Sequence, residues 1–208
     1  MLIPKEIYYQ KLKEFLELSG TMYKEDEYEY LYHCYGENEQ YLSRHINIIN
    51  HSKLIIFGEA SLGTDSNLQA KSYIYNPSSK VTTFLNLKNF CVASGRNSIN
   101  NKRRLIELLE FHKICVLDLS PYPFNVAHSK TFYQCYSDEL VKLIDYFFES
   151  HVQRKLEKIL TTDTIISVRY KRTHNKFKTL IEAKTNRRPL CLGGNGMDIN
   201  QKLFSSLF

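Results

Sequence analysis

Apolar residues in this chain follow two patterns. One is continuous: Leu54-Ile55-Ile56-Phe57, Ile114-Cys115-Val116-Leu117, Thr164-Ile165-Ile166-Ser167-Val168 and Leu190-Cys191-Leu192 run with little polar alternation. Such runs suit parallel strands covered on both faces. The other pattern has the spacing of a helix face. Ile7, Tyr8, Leu12, Phe15 and Leu16 predict a helix from about Pro4 to Leu18, stopping at Gly20. A second helix is expected around Glu37 to Ile49, leading into the first strand. A third is expected over Ser98 to Phe111, with Ser98 or Asn100 as its cap and Leu105, Leu108 and Leu109 on its apolar face. Ser137-Asp138-Glu139 opens a longer one, burying Leu140, Leu143, Ile144, Phe147 and Phe148, with Leu160 as its far limit. Short helices are expected from Phe177 to Ala183 and up to Phe208. Strands and helices in this order predict an α/β protein: a three-layer α/β/α fold with a central, mainly parallel four-stranded sheet. One domain over residues 1–208 is the simplest organisation, with 1–50 as its N-terminal helical part.

The segments between these elements carry the chemistry. In an open parallel sheet, ligands bind outside the carboxyl ends of the strands. Gly58 is expected to turn the chain sharply there, so that Glu59 emerges at the end of the first strand, followed by Ala60 and Ser61. Asp118-Leu119-Ser120-Pro121, entering a rigid turn through Asn125, repeats that design. Arg169 to Lys178 follows the third strand as the densest basic stretch, with Arg169, Lys171, Arg172, His174 and Lys176 as candidate phosphate contacts. Gly193 to Asp198 makes a glycine-rich turn after the fourth. Two carboxylates, a basic loop and turn amides are the parts that chemistry on a polyanion needs. Each part also has a plainer reading. Glu59 can cap a helix, Asp118 can be a buried carboxylate bonded to amides, and the glycines can serve only a tight turn. Tyr73 and Tyr75 alternate onto one face if extended, where they would stack on a flat heterocycle; core packing is the commoner fate of such residues.

Other stretches keep two readings. Tyr23 to Tyr32 is acidic and rich in tyrosine, either a solvated surface, which charge runs favour, or a lid or partner surface. Thr64 to Lys80 is a long polar loop of the kind that carries function, and Val81 to Leu85 reads equally as strand or helix. Lys102, Arg103 and Arg104 sit at a helix start, the unfavourable end for cations, so they serve an anion or reach for solvent.

Composition narrows the classes. A net charge of +6 and a pI near 8.9 favour a polyanionic partner without the strongly basic footprint of a dedicated nucleic-acid binder. Five scattered cysteines with no CxxC pair predict buried thiols in a reducing cytoplasm, and His33-Cys34 lacks a second ligand pair, so neither a metal nor a cofactor is expected. No run has membrane-spanning length and no signal peptide is evident. The GxxxxGK[ST] and GxSxG motifs are absent, as is GxGxxG after a first strand, which argues against nucleoside triphosphatases, dinucleotide enzymes and α/β-hydrolases.

Gly58-Glu59-Ala60 after its apolar strand resembles the first motif of the uracil-DNA glycosylase superfamily, which has a Gly-Glu-Ala-Pro-Gly form. Asp118-Leu119-Ser120-Pro121-Tyr122-Pro123 is similar to a segment of its divergent members. The likeness spans roughly Lys53 to Met197. It departs at Ser61, where a proline is expected, and at Gly193-Gly194-Asn195-Gly196, where the family has His-Pro-Ser. The resemblance implies cleavage of an N-glycosidic bond in DNA or a nucleotide-like ligand, without a metal. Glu59 would position water or stabilise the sugar cation. Asn195, with amides such as that of Gly194, would take the place of the missing histidine, and Tyr73 or Tyr75 would stack on the base. Gly58, Ala60, Ser61, Asp118 and Ser120 would complete the binding surface. Two other classes stay open: a non-catalytic module binding nucleic acid or protein, and a small-molecule nucleosidase or transferase.

Overall fold

The computed structural model describes residues 2–19, 27–62, 73–78, 102–124 and 137–193, together with 200, 203 and 206; at 19, 59–62, 123 and 124 it describes the backbone alone. Four parallel strands form one sheet in the order β2-β1-β3-β4: β1 Leu54–Leu62, β2 Ile114–Phe124, β3 Ile165–Val168 and β4 Leu190–Cys191. Helices pack around it: α1 Lys5–Ser19, α2 Tyr28–Ile49, α3 Lys102–Phe111, α4 Asp138–Phe147, α5 Gln153–Ile159 and α6 Lys171–Thr185, with a π-helical turn Phe148–Val152 joining α4 to α5. This is the expected α/β/α arrangement. Among the described residues no helix is long and apolar enough to cross a membrane.

The four apolar residues of β1 pair on both sides, Leu54–Phe57 with Ile114–Leu117 of β2 and with Ile165–Val168 of β3. All four are buried. The elements differ from the expectations mainly in length. β1 does not turn at Gly58 but runs on to Leu62, and β2 continues through Ser120 to Phe124 instead of turning. Beyond Phe57 the two strands leave β3 behind and project as a two-stranded ribbon, with a register shift between Ala60 and Leu62.

α2 begins at Tyr28, nine residues before its expected start, and so absorbs most of the tyrosine-rich stretch. Leu31, Tyr35, Glu39, Leu42, Ile46 and Ile49 recur at three- or four-residue spacing and are buried. Within residues 28–32 only Leu31 is buried; Glu29 is exposed, as the surface reading expects, and Tyr28, Tyr30 and Tyr32 are half-buried. Residues 23–26 lie outside the described set, as do the segment 81–85, most of the 64–80 loop, the start of the expected 98–111 helix and the turn at 194–198. The last expected helix is described at residues 200, 203 and 206 only.

α2 also closes the outer edge of β2. Among the described residues β2 has β1 on one side only, so the backbone groups of Ile114 and Val116 on the other side need partners. His45 supplies one: its Nε2 lies 2.8 Å from the Ile114 carbonyl. Tyr75 supplies two, since its hydroxyl accepts from the Val116 amide at 2.6 Å and approaches the Val116 carbonyl at 3.2 Å. The two rings pack 4.3 Å apart. Tyr73 and Tyr75 therefore lie in a turn, with Asn76 N donating to Tyr73 O, and not in an extended piece.

Burial pulls the His45 imidazole down to about 4. Unfolded histidine titrates near 6.5, so between pH about 6.5 and about 4 the unfolded chain binds a proton that the native imidazole refuses. Native stability is expected to fall by roughly 3 kcal/mol across that window from this group, with burial and the Lys155 charge making His151 act in the same direction. Urea midpoints measured from pH 7 to pH 4.5 should show the fall, with a shallower slope in His45→Gln.

Candidate functional site at the carboxyl edge of the sheet

The register brings several of the expected residues together. Gly58 pairs with Asp118 and Ala60 with Ser120 across β1 and β2. On the other side of β1 the Arg169 amide donates to the Phe57 carbonyl. Gly58 and Glu59 thus leave the three-strand part of the sheet between Asp118 and Arg169. Gly58 is not needed to turn the chain there. A Cβ at this position would sit 2.5 Å from Asp118 Oδ1, so its hydrogen makes room for that carboxylate. The backbones of Glu59, Ala60 and Ser61 belong to β1, while their side chains, and Gly194 and Asn195 altogether, lie outside the described residues.

Gly193 plays a comparable part after β4. A Cβ there would meet the Lys171 amide nitrogen at 2.5 Å and the Arg169 carbonyl at 3.1 Å. Only glycine lets this turn pack against the start of α6. That start differs from the expectation. Residues 171–176 are helix and not loop, continuous with the helix expected from Phe177, and Thr173, Phe177, Ile181 and Thr185 are buried. Lys171 and Arg172 are exposed in the first turn, where helix amides favour anions. Arg169 and Arg172 both lie against the Tyr170 ring, at 4.8 and 5.7 Å. Lys176 is half-buried. His174 is half-buried too, and its Nε2 bonds to the Pro189 carbonyl, which ties α6 to the approach of β4. His174 also lines a cleft of about 310 Å³ with Lys178 and Arg188, the last a cation that the sequence reading passed over.

Other expected site residues are structural. Tyr75 is 2% exposed with its hydroxyl committed to Val116, and Tyr73 is buried against it, ring centroids 5.7 Å apart. Neither presents a face to a flipped base. Ser120 is buried, and its hydroxyl accepts from the Tyr122 amide at 3.2 Å. Of the basic triplet at 102–104, Lys102 is buried and drawn down to about 8 by that burial, while Arg104 pairs with Glu107 at 2.9 Å. Cys115, as expected, is buried, and burial pushes its thiol up to about 12.

A buried polar cluster that the sequence reading missed joins α2, the π-helical turn and α5. Lys155 Nζ bonds Glu39 Oε1 at 2.8 Å and lies within 3.1 Å of both His151 ring nitrogens. The Tyr35 hydroxyl reaches His151 Nδ1 at 3.4 Å. Burial pulls the Lys155 ammonium below the usual lysine range, against the opposing pull of the Glu39, Asp118 and Cys115 charges. Burial also raises the Tyr73 hydroxyl well above its ordinary range, helped by the Glu39 and Asp118 charges. The Lys155 and Asp118 charges therefore act on one another. Its sequence signals were a glutamate interrupting the apolar face of α2 and a His–Lys pair four residues apart. Among the described residues no three His, Cys, Asp or Glu side chains gather as a metal ion would need.

No protein-family model matches the chain, and neither does any curated protein or solved structure.

Two outcomes follow for the residues under this edge. Gly58→Ala should destabilise the fold by about 1–3 kcal/mol through overpacking on Asp118. The cost should shrink by about 1 kcal/mol or more in an Asp118→Ala background, read as the coupling in a double-mutant cycle of urea denaturation. Glu39→Gln should cost about 3 kcal/mol by leaving the Lys155 ammonium without its carboxylate, while the pair Glu39→Leu with Lys155→Met should lie nearer the parent in the same assay.

Proposed function

We propose that the carboxyl edge of the sheet binds a nucleotide-like anion and hydrolyses its N-glycosidic bond, with DNA carrying a damaged or non-standard base as the substrate class. One observation carries this reading: Glu59 follows the Gly58–Asp118 pair on the strand that passes between Asp118 and Arg169. A carboxylate backbone position and a basic helix start then share one edge, with the glycine after β4 packed against that helix. When an N-glycosidic bond breaks, the sugar becomes cation-like and the base leaves as an anion. Glu59 stabilises the first charge or orients the attacking water. Asn195 and neighbouring amides stabilise the second. Arg169, Lys171, Arg172 and Lys176 hold backbone phosphates. Tyr73 and Tyr75 take no part in stacking, because both are buried. That same burial favours a second reading, a module on this fold that binds nucleic acid without releasing a base.

The test is incubation with oligonucleotides carrying uracil, hypoxanthine or an alkylated base, read as abasic-site formation. Activity should fall by about 10²-fold or more in Glu59→Gln, and fall also in Asn195→Ala, with the thermal melt of both unchanged. Undiminished activity in both variants rules out the assigned roles. Binding without base release, unaffected by Glu59→Gln, selects the second reading.

A further inference from the structure

We infer that the cleft between α2 and α3 is a second binding site, one that takes the primary ammonium group of a small amphipathic molecule between His45 and Glu110. The backbone partner of His45 fixes its tautomer. Its Nε2 faces the Ile114 carbonyl at 2.8 Å, and a carbonyl oxygen can only accept, so Nε2 carries the ring proton. Nδ1 is then a bare acceptor. His45 is 2% exposed, yet no described protein group hydrogen-bonds to Nδ1. Glu110 Oε1, itself an acceptor, lies 3.9 Å from it. Burial keeps the imidazole neutral at pH 7, so proton transfer from solvent does not relieve the mismatch.

Two acceptors that face one another across 3.9 Å are both satisfied by one donor-rich group placed about 2.8–3.0 Å from each. An ammonium has three N–H donors and a charge that matches Glu110. A metal ion fits less well, since no third His, Cys, Asp or Glu joins the pair among the described residues. The surroundings supply the rest of a site. The cleft holds about 390 Å³, within the roughly 300–1,000 Å³ of small-molecule pockets. Tyr41, Ile48, Pro77 and Ile106 line it with apolar surface for the body of the ligand. Arg44 and Arg103 line it too, so a zwitterion, whose carboxylate they would meet, and a simple amine are the two sources of the same ammonium.

This site is separate from the carboxyl edge. His45 meets β2 at its first residue, Ile114, whereas Asp118 lies four residues on, about 13 Å along the strand. The inference therefore stands whatever the reaction at that edge.

Titration of the whole chain with phenethylamine tests it, followed by backbone amide shifts in two-dimensional NMR and by calorimetry. Saturable shifts confined to residues 41–48, 73–78 and 103–110 are expected. Affinity should drop about tenfold in Glu110→Gln, the loss of one charge-assisted hydrogen bond. Glu110 is partly exposed on α3, so this variant leaves the core intact. Hydrocinnamate, which keeps the ring and lacks the amine, should not bind. Tighter binding of L-phenylalanine than of phenethylamine, lost in Arg44→Gln, would identify the zwitterion as the ligand class; equal or weaker binding would identify the simple amine. The proposal is overturned by any of three results: no saturable shift at millimolar phenethylamine, equal binding to Glu110→Gln, or saturation of the same residues by zinc chloride and not by the amine.

Discussion

The central strand has sheet on both sides, and the other elements are arranged around that fact. Leu54 to Phe57 are apolar and buried, so their amides and carbonyls must be bonded within the protein. Parallel pairing with β2 and β3 does this, and it obliges the chain to cross over after each strand. Covering both faces of the sheet follows from the same burial. The edge of β2 is the remaining problem, and side chains solve it. His45 from α2 and the Tyr75 hydroxyl bond the outward groups of Ile114 and Val116, so α2 lies along the strand and shields its edge.

That solution has electrostatic consequences. A helix laid along the edge carries its polar residues inward with its apolar ones, so Glu39 and His45 are buried with Leu42 and Ile46. Glu39 meets Lys155, whose neighbour His151 sits in a π-helical turn, a feature that recurs at functional sites. Such buried charges are costly to desolvate and gain most of it back from one another. The Glu39 charge acts on Tyr73, and the Lys155 and Asp118 charges act on each other. His45, by contrast, is held neutral and spends one nitrogen on the backbone, while the other has no hydrogen-bond partner among the described residues and lies 3.9 Å from Glu110.

Two glycines set how closely the parts at that edge approach. Gly58 gives way to the Asp118 carboxylate within the sheet, and Gly193 gives way to the backbone at the start of α6. Both were legible in the sequence as special positions, but for the wrong reason at Gly58. A glycine before a glutamate suggested a turn, whereas the cross-strand partner, visible only once the register is known, is what excludes a side chain. The tyrosines at 73 and 75 took the plainer of their two readings, core packing. Their local spacing suited a stacking pair, and the unpaired edge of β2 claimed one of them for the core.

By itself the sequence determined the layered class, the four strands and their parallel sense, because apolar runs without alternation are stable only when covered on both faces. It also determined which residues follow each strand, and so which meet at one edge. Element lengths depended on tertiary structure: α2 reaches back to Tyr28, and residues 171–176 join α6, because an apolar stripe finds a surface that local charge density did not reveal. Register, the Glu39–Lys155–His151 cluster and the His45–Glu110 pair were likewise decided only in three dimensions. Each joins residues far apart in the chain, and no spacing along a sequence encodes a distance across a core.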